Sequence, residues 1–263
     1  GGHIGKIKNG PVDQTLASLK KAGVEYVVFD GAEENPKIRD IKKGKQIYLD
    51  NNCDSIITVG GGSAHDCGKG IGIILSNGDD ITKLAGIETL DKPLPPLMAV
   101  NTTAGTGSEL TRHAVITNEA THQKFVVDSW RNIPLVAFND PMLMLDIPQA
   151  TTAATGLDAY VQAVEPFVSV DHNDITDSQC EKAIKLIQKY LPEAVANGHN
   201  VEARTKMVEG EMLAGMAFNN ANLGYVHAMA HQLGGQYDAP HGVCCALMLP
   251  VVEEWNIIAC PDR

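Results

Sequence analysis

NANLGYVHAMAHQLGGQYDAPHGVCCALMLP, residues 220–250, is the stretch from which the rest of the chain is best read. It carries three histidines, His227, His231 and His241, the first two four residues apart. On a helix that spacing puts two imidazoles on one face, one turn apart. Gly234 and Gly235 are expected to stop the helix, because glycine tolerates the left-handed backbone of a C-terminal cap. A short loop then leads through Pro240 to His241 and Gly242. A helix that brings one or two imidazoles and a loop that returns another make part of a metal shell. Histidines at this spacing are more often packed or surface side chains, so the pair needs support from elsewhere in the chain.

Upstream, the pattern alternates strand and helix. The opening GGHIGKIKNG is turn-like. Val12 to Ala22 reads as a helix with Leu16, Leu19 and Ala22 on one face, stopped by Gly23. Val24 to Phe29 reads as a short apolar strand, and Ile38 to Asp50 as a helix entered through Asn35-Pro36. Ser55 to Val59 is a buried-type strand running into Gly60-Gly61-Gly62-Ser63, with helix again from Asp66 to Leu75. Leu97 to Val100 and Leu135 to Phe138 are further strands. Ala114 to Thr117 and Lys124 to Asp128 form a hairpin around NEATH. Such alternation implies a mostly parallel sheet covered by helices. From Thr151 onward the signals are helical. Asp174 or Thr176 is expected to cap a helix reaching about Ala196, which Pro192 should kink or split. Val201 to Phe218 and Leu223 to Leu233 are two more helices, broken at Asn219-Asn220. The reading is an α/β dinucleotide-binding domain over residues 1–150 and an all-helical metal-binding domain over 151–263.

Composition narrows the class. At 263 residues and 44% hydrophobic content the chain can bury a core. A net charge of −11 argues against nucleic acid as a partner. The six cysteines show no CxxC spacing, which points to a reducing, cytoplasmic compartment. No apolar run is read as approaching membrane-spanning length, so no membrane partner is expected.

Two loops stand where ligands bind in an open parallel sheet, beyond the carboxyl ends of strands. Gly60-Gly61-Gly62-Ser63 lies between a strand and a helix, where backbone N–H groups and the helix dipole make an anion site. It lacks both GxGxxG and GK[ST], and a tight strand–helix turn is the competing reading. Thr102-Thr103-Ala104-Gly105-Thr106-Gly107-Ser108 follows another strand, and a helix-capping loop is its alternative. Asp158, His227 and His241 come from separated places. Carboxylate and imidazole together suit Fe(II), Zn(II), Co(II) or Mn(II), whereas Asp158 alone reads as a carboxylate at a helix terminus.

The segments GGGSAHDCGKGIGI (60–73), NTTAGTGSELTRH (101–113), TAATGLDA (152–159) and AGMAFNNANLGYVHAMAHQLGGQYDAPHGVCCALMLP (214–250) resemble the iron-containing (group III) alcohol dehydrogenases. Within that family they are most similar to the 1,3-propanediol and methanol dehydrogenase branch. The resemblance implies a metal-dependent NAD or NADP alcohol dehydrogenase acting on small primary alcohols or diols, with its active site in the cleft between the two domains. It implies that Gly60, Gly61, Gly62 and Ser63 hold the cofactor pyrophosphate, with Thr102, Thr103, Lys124 and Asn35 further along. It assigns Asp158, His227 and His241 to the metal, Fe(II) or else Zn(II). His231 would lie beside the metal as a proton relay, and Phe218 would wall the substrate pocket. It also implies a homo-oligomer, a dimer or a larger ring.

The chain departs from the family pattern where a ligand histidine is expected four residues after the aspartate. Gln162 stands there, a candidate fourth donor and a poorer one, so a weakened metal site is expected. Relative to the family the chain reads as cut at both ends, which should expose apolar surface. The alternatives are a glycerol-type polyol dehydrogenase, a lyase similar to dehydroquinate synthase, or a catalytically impaired relative kept for assembly.

Overall fold

In the computed structural model, which describes residues 4–237 and 239–263, the chain divides into two units. One holds the residues up to Thr102 together with Thr111–Asn139, and the other holds Thr103–Leu110 with Asp140–Arg263. The turn-like reading of residues 1–3 lies outside the described residues.

In the first unit, helix α1 (Pro11–Lys21) opens with proline at its first position, where the missing N–H costs nothing. Gly23 follows its end at φ +71°, a left-handed conformation that suits glycine. Helix α2 spans Ile38–Asp50. The β-branched run of β1 (Ile56–Gly60) leads into α3 (Gly62–Asn77). Then come β2 (Gly86–Ile87), β3 (Leu97–Asn101), β4 (His113–Asn118), β5 (Gln123–Asp128) and β6 (Val136–Phe138). Strands β1, β3 and β6 form a parallel sheet in the order β1-β3-β6, with Ile56 opposite Leu97 and Met98 opposite Val136. A second sheet runs β2-β5-β4, in which β4 and β5 are the antiparallel hairpin. Ile41, Ile73, Ile74, Ile116 and Val127 are buried in its core.

Val24 to Phe29 is not a strand. Val24, Tyr26, Val27 and Val28 are 43–50% exposed, and no ladder joins them to the described strands. Strand propensity is realised only through cross-strand pairs, and here none forms. Helix α3 also starts earlier than Asp66, so the last two residues of the glycine run form its first turn.

The second unit is built from α4 (Gln149–Phe167), α5 (Asp174–Ala196), α6 (Val201–Ala221), α7 (Tyr225–Tyr237) and α8 (His241–Ala259). Neither Asp174 nor Thr176 caps α5. Asn173 does, its side chain accepting from the N–H groups of Ile175 and Thr176. Pro192 stays inside α5 without splitting it. The break after α6 falls at Asn222, at φ +63°, rather than at Asn219-Asn220. Gly234 and Gly235 do not stop α7, which continues to Tyr237 with Gly234 buried. Tertiary packing outweighs the modest helix cost of glycine there. His241 is the first residue of a helix, not part of a loop.

Helix α8 corrects a further expectation. Over an 18-residue window its mean hydropathy is 1.5, so by length and composition it could cross a membrane. The sequence reading stopped at Pro250, but the helix runs through it. Cys244, Cys245 and Val252 on this helix are buried with Val161 of α4 and Val226 and Ala230 of α7. Leu247, Val251, Trp255 and Ile258 are exposed.

Candidate functional site

Helix α4 places Asp158, Gln162 and Glu165 along one face, at positions i, i+4 and i+7. All three are buried. Helix α7 brings His227 from its first turn, and α8 brings His241 as its first residue. A Cβ on Gly242 would lie 2.0 Å from the Ala154 carbonyl oxygen. Only glycine permits this approach, and it seats the start of α8, and so His241, against α4.

His227 Nε2 lies 3.3 Å and His241 Nε2 3.5 Å from Asp158 Oδ1. On the other edge of the His227 ring, Nδ1 is 2.5 Å from Glu165 Oε2. Glu165 Oε1 accepts from the backbone N–H of Val226 at 2.7 Å and of His227 at 3.3 Å. One carboxylate thus satisfies free amides at the start of α7 and fixes the orientation of the imidazole. His231, one turn along α7, has its ring centroid 6.1 Å from that of His227 and 5.0 Å from that of His241. Cys245, one turn into α8, completes a group of donors with Asp158, His227 and His241 whose ligand atoms all lie within 4.8 Å of one another.

The charges in this group are strongly coupled. Burial works against a charged His227, yet Asp158, Cys245 and Glu165 around it raise its pKa well above the usual value. Burial would raise Asp158, but His241, His227 and His231 hold its carboxyl below the usual range. Burial pushes the Cys245 thiol up to about 11. Among the described residues, Asp158 Oδ1, Gln162 Oε1 and His227 Nε2 are buried without a hydrogen-bond partner. Unsatisfied buried polar atoms are costly, and Asp158 Oδ1 and His227 Nε2, 3.3 Å apart, fit a group that they would bind together. The donor set, carboxylate with imidazoles, suits a borderline divalent cation.

The first unit gathers most of the residues assigned to a nucleotide. Gly60 ends β1 at φ +153°, Gly61 caps α3, and Gly62 and Ser63 form its first turn. A Cβ on Gly60 would meet that of Ala64 at 2.7 Å. No side chain caps α3, so its first N–H groups can receive an anion. Thr102 donates its N–H to the Gly60 carbonyl at 3.0 Å. Ser63 Oγ accepts the Asn35 N–H at 3.2 Å, and Asn35 Oδ1 accepts from Lys124 Nζ at 2.8 Å. Thr103, next along the chain, is grouped with the second unit, as is Phe218, buried in α6.

Sequence reasoning missed Glu165 and Cys245. The signal for Glu165 was its position seven residues after Asp158, and for Cys245 its position four residues after His241.

Residues 3–141 match the iron-containing alcohol dehydrogenase family, and residues 152–263 match the C-terminal part of the Fe-containing alcohol dehydrogenase family. The 1,3-propanediol dehydrogenase of Citrobacter freundii is 57% identical over 98% of this chain and 66% of its own length. The NAD-dependent methanol dehydrogenase of Bacillus methanolicus is 40% identical over 95% of this chain and 66% of its own length. A solved structure of an alcohol dehydrogenase from Oenococcus oeni is 78% identical, with a TM-score of 0.96 over 99% of this chain and 68% of that one. The chain therefore spans 66% of the length of the two curated relatives. With both halves matched and the donor cluster in place, the chain belongs to the iron-containing alcohol dehydrogenase family.

Proposed function

We propose that the protein is a metal-dependent NAD(P) alcohol dehydrogenase, interconverting small primary alcohols or diols of the 1,3-propanediol type with the matching aldehydes. The observation that carries this is the convergence of Asp158, His227 and His241, with buried Oδ1 and Nε2 atoms that meet each other at 3.3 Å without a hydrogen bond. A bound Fe(II) or Zn(II) supplies Lewis acidity at the alcohol oxygen, and a nicotinamide supplies the hydride acceptor. The chain's own residues do the rest. Asp158, His227 and His241 hold the cation, with Gln162 beside them. Glu165 keeps His227 Nδ1 engaged so that Nε2 faces the donors. The free N–H groups after Gly61 receive the cofactor pyrophosphate, while Asn35, Thr102, Thr103 and Lys124 line the cofactor beyond it. Phe218 walls the substrate pocket. His231, an imidazole one turn along α7 from His227, passes the alcohol proton to solvent. In this reading residues 1–150 form the nucleotide-binding domain and 151–263 the metal-binding domain, working as a homo-oligomer in the cytoplasm. The described cysteines, all free, suit that compartment.

Gln162 favours a second reading, a scaffold with a disabled site. Its neutral amide oxygen is a poorer donor than imidazole. Anaerobic metal analysis of the protein and of its Gln162→His variant, paired with NAD-linked oxidation of 1,3-propanediol, separates the two. Near one Fe or Zn per chain with turnover in the unaltered protein supports the dehydrogenase. Metal and turnover in the variant alone would put the disabled scaffold first. His231→Ala should lower turnover about 100-fold and change its pH profile; an unchanged profile removes the relay role.

A further inference from the structure

We infer that Cys245 is a ligand of the metal centre, its thiolate taking the fourth position that Gln162 fills poorly. This rests on the metal-centre reading above and adds a donor to it. Cys245 is fully buried, one turn after His241 on α8, so both side chains leave the same helix face. Its Sγ lies 3.6 Å from His241 Nε2. In a tetrahedral zinc site, bonds of about 2.3 Å to sulfur and about 2.0–2.1 Å to nitrogen or oxygen put sulfur and nitrogen about 3.6 Å apart, and the lighter donors about 3.3 Å apart. The separations found here are 3.6 Å from Cys245 to His241, 3.5 Å from His241 to Asp158 and 3.3 Å from Asp158 to His227. Three of the six edges of the donor cluster thus have tetrahedral lengths, and all its ligand atoms lie within 4.8 Å of one another. Asp158 Oδ1 and His227 Nε2, on residues 2% and 4% exposed, point into the cluster without a hydrogen-bond partner.

Packing alone would give Cys245 a different role, that of a small apolar side chain beside Val161, Val226 and Ala230. Cys244 is the internal control. It is as buried and lies in the same apolar cluster, but it sits one helical step round and is not among the converging donors. Binding is balanced by loss of the thiol proton: the S–H bond breaks, sulfur donates its pair to the cation, and the proton goes to solvent. One carboxylate, two imidazoles and one thiolate form a softer set than oxygen and nitrogen alone, which moves preference from Fe(II) towards Zn(II) and Co(II).

Anaerobic titration of the metal-free protein with Co(II), followed by absorption, tests this. The expected result is a near-ultraviolet thiolate-to-cobalt charge-transfer band saturating at one equivalent, kept in Cys244→Ser and lost in Cys245→Ser. Affinity in Cys245→Ser should fall at least about tenfold, no less than the loss of a supporting residue typically costs. Co(II) bound to the unaltered protein without the band overturns the inference, even if Cys245→Ser fails to fold, and leaves the metal centre standing. A band that survives in Cys245→Ser also overturns it. A folded protein that binds no Co(II) overturns the metal-centre reading and this one with it.

Discussion

Glu165 decides which nitrogen of His227 faces the donor cluster. Its carboxylate holds Nδ1 and two backbone amides at once. Glu165→Gln keeps the shape, loses the charge and should weaken metal binding about 10–100-fold, measured by competition with a chelating dye. Glu165→Ala should in addition cost about 1–3 kcal/mol in urea unfolding, because it strands the Val226 N–H in a buried place. At this scale the sequence was only partly legible. Asp158, His227 and His241 stand in motifs whose chemistry can be named from residue type and spacing. Glu165 reads along the chain like any solvated helix carboxylate, since nothing local says that the start of α7 will pack against it. Cys245 is hidden for the opposite reason. A cysteine beside another cysteine reads as a packed thiol until the fold shows that only one of the two faces His241.

Helix α3 shows what an element adds. It carries Lys69, fully buried, whose Nζ donates to the carbonyls of Thr111 at 2.8 Å and His113 at 2.7 Å, tying the helix to the start of β4. It also carries His65, which meets Thr58 Oγ1 of β1 at 2.7 Å. Burial, reinforced by the Lys69 charge, lowers the His65 pKa to about 3. The folded state therefore prefers neutral His65. Its contribution to stability is present above the unfolded pKa of about 6.5 and declines as pH falls towards 3, at up to ~1.4 kcal/mol per pH unit. His65→Gln should flatten the dependence of the urea midpoint between pH 7 and pH 4.5; an equally steep profile in the variant would show that other groups set it. Elements were legible where period and punctuation agreed, as in α2, whose bounds match the reading. They were not where a partner decides the outcome. Val24 to Phe29 has the composition of a strand but no ladder, and α7 passes through two glycines because packing holds it.

For the whole molecule, the strand–helix alternation and the helical second half were readable because layer architecture follows from pattern alone. The membership of Thr103–Leu110 in the second unit was not readable, because it depends on a loop leaving its own strand behind. The donors of the candidate metal site all lie in this second unit, on α4, α7 and α8. Filling it should therefore stabilise that unit by mass action, about 2.7 kcal/mol at a free metal concentration 100 times Kd. Calorimetry of loaded and chelator-treated protein should show a rise of roughly 5–10 °C in Tm, taking ~2–4 °C per kcal/mol. No shift would mean that the cluster does not bind the ion under those conditions. Helix α4 is separated in the chain from α7 and α8 by the whole of α5 and α6, so this shell closes only when elements distant in sequence have packed together. Metal supply should then act on the protein's lifetime: the unfilled chain is expected to open more often and to be cut faster by a protease than the filled one.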